Sequence, residues 1–146
     1  MTKNIILLIE DNPAHAELII RTIEDNAFNA SIRHLNDGEK ALDYLLRRGR
    51  YADPTLSPRP NAILLDLRLP RVDGIEVLRH IKQQEATRHI PVVVLTTSNS
   101  ERDIKAAYHH YANSYLVKPV DFEQLNRMLH DVSRYWVTWN TELRER

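Results

Sequence analysis

Cysteine is absent from this chain of 146 residues, which removes disulfides and thiolate-held metals from consideration. Only Gly38, Gly49 and Gly74 supply glycine, so no Gly-rich loop can cradle the phosphates of a nucleotide or flavin. No apolar run comes near the ~20 residues that span a bilayer. Ile5 to Ile9, behind one lysine, is too short for a signal-peptide core. The expectation is a cytoplasmic protein with no membrane partner. Charge of one sign is missing too: 20 basic and 20 acidic residues cancel, leaving no electrostatic footprint for nucleic acid. What remains, 42% hydrophobic and 27% charged, suits one globular domain over 1–146 with a core of its own.

Within it, short apolar runs alternate with helical patterns. Ile5-Ile6-Leu7-Leu8-Ile9 is continuous and β-branched, as a strand buried on both faces is, and it stops at Glu10-Asp11-Asn12-Pro13. Asn12 as N-cap and Pro13 as first residue predict a helix to about Asn26, with Leu18, Ile19 and Ile23 inward. Ser31 to Leu35 is a weaker strand. Asn36-Asp37-Gly38 then turns into a helix carrying Ala41, Leu42, Leu45 and Leu46. Pro54, Pro58 and Pro60 exclude a helix from the second half of the Arg47–Asn61 stretch, predicting a long surface connection, either functional or an inert insertion.

Ala62-Ile63-Leu64-Leu65 delivers Asp66 to a strand end, and Asp73-Gly74 opens a helix with Ile75, Leu78 and Ile81 on one face. An Asp that merely caps the next turn would look the same. Val92 to Leu95 leads to Thr96-Thr97-Ser98, Glu101 to Tyr111 reads as a short helix, and Ser114 to Val117 ends in Lys118-Pro119. Five strand–helix alternations predict an α/β fold with a parallel sheet covered on both faces. The last helix is longer than cover requires. Phe122, Leu125, Leu129, Val132, Trp136, Trp139 and Leu143 recur at alternating spacings of three and four. A helix of about 22 residues would reach about 33 Å and overhang the sheet.

Four strands thus end in Glu10-Asp11, Asp66, Thr96 and Lys118. Open α/β sheets put their chemistry at that carboxyl edge. Three carboxylates brought together there repel, so they either hold protons or bind a hard divalent cation. Oxygen ligands favour Mg²⁺ (or Mn²⁺), which accepts carboxylates together with a phosphate oxygen. Lys118 and Thr96 would then engage a phosphoryl group transferred in line onto Asp66.

Ile9-Glu10-Asp11, Leu64-Leu65-Asp66, Leu69-Pro70 with Asp73-Gly74, Leu95-Thr96-Thr97 and Tyr115-Leu116-Val117-Lys118-Pro119 resemble the receiver domains of two-component response regulators, from Asn4 to about Arg134. The resemblance implies a doubly wound, flavodoxin-like sheet of order 2-1-3-4-5 with an extended C-terminal helix. It implies Asp66 as phosphoacceptor, with the metal held by Asp11, Asp66 and the backbone carbonyl of Arg68, and with Glu10 acting through water. It further implies Thr96 and Lys118 on the phosphoryl group, Tyr115 as a rotating aromatic against the alternative of a plain buried tyrosine, and a cis peptide at Lys118-Pro119. Autophosphorylation and autodephosphorylation would be assisted by the receiver itself, which is otherwise no enzyme.

Three residues depart from the family pattern. Glu10 replaces the commoner Asp, Tyr111 stands where receivers usually have Gly, and Arg68 lies two past the phosphoacceptor, over the site or turned to solvent. Arg68, with Ser98, should set how easily water attacks the acyl phosphate. The Pro-rich loop, the Ala112–Glu123 stretch and the Trp-bearing tail are similar to single-domain regulators that partner phytochrome-type histidine kinases. That implies such a kinase as phosphodonor, with a histidine phosphotransfer protein as a candidate onward partner. Receiver docking surfaces map here to His15, Leu18, Val120 and Phe122.

Trp136, Trp139, Val132 and Leu143, on the 134–146 extension and the helix before it, either fold back on their own domain or build a homodimer with the fourth helix and fifth strand; the dimer is the expectation. Two rivals stay open. A pseudo-receiver would only mediate contacts, and an aspartyl-phosphate phosphatase or phosphotransferase of haloacid-dehalogenase type would need an Asp where Arg68 stands.

Overall fold

The computed structural model describes residues 4–24 and 29–140. Five parallel strands, β1 (Asn4–Ile9), β2 (Ala30–Leu35), β3 (Ala62–Leu65), β4 (Val92–Thr96) and β5 (Ser114–Val117), form one sheet in the order β2-β1-β3-β4-β5. Helices α1 (Pro13–Glu24), α2 (Gly38–Leu45), α3 (Gly74–Gln83), α4 (Glu101–His109) and α5 (Phe122–Ser133) alternate with them. This is the predicted doubly wound arrangement.

Period-two alternation divides the inner strands between two cores. Leu7, Ile9, Ile63, Leu65, Val92 and Val94 face α2, α3 and α4 through Leu42, Leu45, Leu78, Ile81 and Ala107. Ile6, Leu8, Leu64, Val93 and Leu95 face Ala16, Ile19 and Ile23 of α1 and Leu125 and Leu129 of α5. Because both faces are covered, these strands read as unbroken apolar runs. Pairing of Ile9 with Leu65 and of Leu65 with Val94 sets the ends of β1, β3 and β4 side by side. The residues that follow those ends must meet.

The helix starts are capped by short polar side chains. Asn12 Oδ1 accepts from the N–H groups of Ala14 and His15 at 3.0 and 3.1 Å, and Asp73, Ser100 and Asp121 play the same part for α3, α4 and α5. Gly74 is required by close approach, since a Cβ there would lie 2.4 Å from Asp66 O and 2.5 Å from Leu67 Cα. At the end of α4 the chain turns through φ +67° at Tyr111, a left-handed conformation that suits glycine better.

The Arg47–Asn61 connection is built rather than slack. It contains a 3₁₀ turn (Gly49–Ala52) and a fully buried Ser57. Tyr44 Oη donates to Pro58 O at 2.6 Å, Arg59 Nη1 to Leu45 O at 2.7 Å, and Ser57 Oγ to Tyr51 O at 2.8 Å.

Two expectations are corrected. The C-terminal helix does not run on as one α-helix past Ser133: Arg134–Trp139 forms a π-helical turn, closed by Asn140 N–H donating to Tyr135 O at 2.6 Å. A wider turn breaks the three-four seam, and Val132 and Trp136 are half-buried against the α1/α5 core of their own domain rather than overhanging it. The Trp139 side chain and Leu143 lie outside the described residues. Second, no cis peptide occurs among the described residues, so Lys118-Pro119 is trans. An X–Pro bond prefers trans by only about 0.5–1 kcal/mol, so sequence alone does not decide it, and here the trans chain delivers the Lys118 amine to the sheet edge.

Candidate functional site

β1 ends in Glu10, β3 in Asp66, β4 in Thr96 and β5 in Lys118, and all four side chains are buried. Lys118 Nζ donates to Glu10 Oε1, to Asp66 Oδ2 at 3.2 Å, and lies 3.0 Å from His15 Nδ1. Its backbone N–H donates to Thr96 O at 2.7 Å, which ties the end of β5 to that of β4. Asp66 also accepts from Arg68 N–H at 3.1 Å through Oδ1. Residues 10, 11, 66, 96 and 118, distant in sequence, therefore converge on one acidic rim.

Two buried carboxyls beside one ammonium cannot both be comfortable as anions. Burial, reinforced by the hydrogen bond with Asp66, pushes the Glu10 carboxyl up to about 7, Lys118 pulling the other way. Burial also works against charge on Asp66, but a hydrogen bond from Glu10, the Lys118 charge, and hydrogen bonds from the Arg68 N–H and Thr96 outweigh it and hold Asp66 below its ordinary value. Below a pH of about 7 the shared proton stays on Glu10, and Asp66 is the anion. Burial and then the Lys118 charge lower His15, so its ring is neutral and Nδ1 accepts from the lysine.

Glu10, Asp11 and Asp66 each present a carboxylate oxygen within 4.8 Å of the others, with Asp11 exposed to solvent and the other two buried. An oxygen-only set with one open side fits a hard divalent cation that keeps some of its water. The mouth of the site opens into a cleft of about 920 Å³ lined by Asp11, Arg68, Asp73, Arg102 and Asp103, among others.

The remaining predicted residues are distributed around this rim. Tyr115 is partly exposed, and its hydroxyl donates to Ser98 O at 2.8 Å. Val120 and Phe122 are exposed just past Lys118, while Leu18 is half-buried on α1. Arg68 is turned away to α4, where Nη2 meets Asp103 Oδ2 at 2.7 Å. Sequence reasoning did not foresee three contacts: Arg68 with Asp103, His15 with Lys118, and His34 Nε2 with Glu10 O at 2.8 Å. Each joins residues that no local pattern connects; only the placement of His15 in the first turn of a helix starting at the acidic strand end hinted at one of them.

Comparison with known proteins agrees with this geometry. The response regulator receiver domain family matches residues 6–130. The probable methanogenesis regulatory protein FilR2 of Methanothrix harundinacea is 52% identical over 136 residues, 93% of this chain and 85% of FilR2. The response regulator Rcp1 of Synechocystis is 41% identical over 133 residues, 91% of this chain and 88% of Rcp1. The crystal structure of the Mn²⁺-bound form of Rcp1 has a TM-score of 0.91 at 39% identity, covering 97% of this chain and 99% of that one. That of the phosphorylated cyanobacterial phytochrome response regulator RcpA also has a TM-score of 0.91, at 36% identity over 96% and 98% of the two chains.

Proposed function

The chain belongs to the response regulator receiver family, and from that premise we propose that Asp66 accepts a phosphoryl group from the phosphohistidine of a sensor kinase. The observation that carries this reading is the Lys118 ammonium, buried and shared between Asp66 and Glu10 beside the open carboxylate of Asp11. Asp11, Asp66 and the Arg68 carbonyl would hold Mg²⁺ or Mn²⁺, with Glu10 acting through water. When bound, the ion supplies positive charge between the carboxylates and the incoming phosphate. Rcp1 with Mn²⁺ and phosphorylated RcpA support both halves of this assignment.

The chain's own groups do the rest. Asp66, held as the anion, offers an oxygen that bonds to phosphorus as the phosphorus–nitrogen bond to the donor histidine breaks. Lys118 leaves Glu10 and pairs with a phosphoryl oxygen, and the buried Thr96 hydroxyl donates to another. Movement of Thr96 releases Tyr115 from Ser98 and lets the ring turn in. Incubation with acetyl phosphate and Mg²⁺, read by intact mass, should add one phosphoryl group. Asp66→Asn should add none. An unmodified wild-type chain would leave a pseudo-receiver that works by contact alone.

The donor kinase is of phytochrome type, a reading supported by the likeness to Rcp1 and RcpA. His15, Leu18, Val120 and Phe122 form its docking surface, and onward transfer goes to a histidine phosphotransfer protein. FilR2 favours a second reading, a regulator of methanogenesis, because identity to it is higher than to Rcp1. Phosphotransfer rates from one kinase of each type separate the two. A homodimer forms across α4, β5 and the C-terminal turn, supported by the exposure of Tyr108, Tyr111, Val117 and Tyr135. Light scattering that still shows a dimer for Val117→Lys would sink that arrangement.

A further inference from the structure

Arg68 springs from the lip of the acidic pocket, its own N–H bonded to Asp66, yet its guanidinium crosses to α4 and pairs with Asp103 at 2.7 Å. The two residues are 35 apart in sequence, and their pairing braces the loop after β3 against the first turn of α4. Asp103 is held from other sides as well. The Ser98 hydroxyl donates to the same Oδ2, and Ser100 Oγ accepts from the Asp103 N–H at 3.1 Å. With Asp103 15% exposed and Arg68 68% exposed, the carboxylate is the fixed half of the pair and the guanidinium the movable half. Ser98 is in turn bonded to Tyr115 Oη through its carbonyl and to Thr96 Oγ1 through its N–H, so the anchor belongs to the same loop as the switch residues.

We propose that Asp103 is a positioning residue for phosphoryl turnover at Asp66: by retaining the Arg68 guanidinium on α4 it keeps that cation off the aspartyl phosphate and so shortens its lifetime. The inference rests on the reading of Asp66 as phosphoacceptor. In the turnover step a water oxygen bonds to phosphorus while the phosphorus–oxygen bond to Asp66 breaks. The carboxylate returns, and inorganic phosphate leaves with the water's protons. The open side of the pocket is the cleft lined by Asp11, Arg68 and Asp103, which is the approach the structure offers that water. A guanidinium turned inward onto the phosphoryl oxygens covers that approach. A phosphate offers the fork of Arg a bidentate acceptor, whereas a pair with one exposed partner holds weakly, so the two destinations are closely matched and one carboxylate can decide between them.

The test starts from full-length protein phosphorylated with acetyl phosphate and Mg²⁺, freed of donor by desalting, with loss of the phosphoryl mass followed over time. Asp103→Asn keeps the size and the Ser98 contact but drops the charge; it should lengthen the half-life about two- to fivefold. Asp103→Glu should bring it back toward wild type. In an Arg68→Ala background Asp103→Asn should change nothing, an outcome that a merely structural role for Asp103 would not produce. An unchanged or shorter half-life, or a change that persists without Arg68, overturns the proposal while leaving the phosphoacceptor in place. Absence of any adduct on wild-type protein overturns the phosphoacceptor and this inference together.

Discussion

Gly74→Ala tests whether the phosphoacceptor is positioned by close backbone contact. The added Cβ would lie 2.4 Å from Asp66 O and 2.5 Å from Leu67 Cα, both main-chain atoms that no rotamer change can move. Ordinary contact begins near 3.4 Å, so the start of α3 and the end of β3 must part by about 1 Å. Overpacking of this kind costs about 1–3 kcal/mol, and the unyielding neighbours put this case at the upper end, about 3 kcal/mol. A reacting group displaced by about 1 Å loses on the order of 10²-fold in rate. Urea denaturation should show the first loss and acetyl phosphate labelling of the still-folded protein the second. Gly38→Ala is the control: its Cβ would meet Val72 O at 1.8 Å, at the far end of the same loop. It should cost at least as much stability and much less rate per folded molecule. Equal labelling rates for wild type and Gly74→Ala would refute the argument.

Other groups give separate tests. Glu10 loses its proton near 4.5 when unfolded and near 7 when folded, so between those values the unfolded chain has given up a proton that the fold retains; stability of the metal-free protein should fall as pH rises through that window. A cation held beside Glu10 disfavours the same proton, so apparent Mg²⁺ affinity, followed by calorimetric titration, should weaken about tenfold from pH 8 to pH 6, and a flat profile would contradict the shared proton. Lys118→Met should cost about 3 kcal/mol at pH 8 and less at pH 5, where Glu10 takes up its proton and one charge fewer is left unpaired, as read by urea midpoints at the two values. Tyr111→Gly should stabilise by about 1 kcal/mol, because φ +67° is strained for tyrosine, and thermal melting will show a rise of a few degrees if so. Tyr44→Phe removes the donor to Pro58 O and should cost about 1 kcal/mol while speeding proteolysis within the Arg47–Asn61 loop.

The inner strands were legible because a strand covered on both faces carries no polar positions to blur it, and Asp66 was legible because it interrupts such a run. Asn12 and Asp73 mark helix starts through a local hydrogen bond that a short polar side chain announces. Nothing local announces that Arg68 will reach Asp103, that Tyr44 will hold Pro58, or that Lys118 will share its amine with His15, since each depends on how layers stack. The aromatic seam after Ser133 misled for a related reason. Spacing alone records which residues could share a face, whereas the structure turns through a π segment and packs Trp136 on the α1/α5 core.

The 3.0 Å approach of His15 Nδ1 to Lys118 joins the outer surface of α1 to the interior charge balance. A lysine drawn toward an incoming anion deserts that imidazole, which then changes its hydrogen-bonding character on a surface that another protein can read. Through that one contact the charge at the centre reaches the outer face of α1.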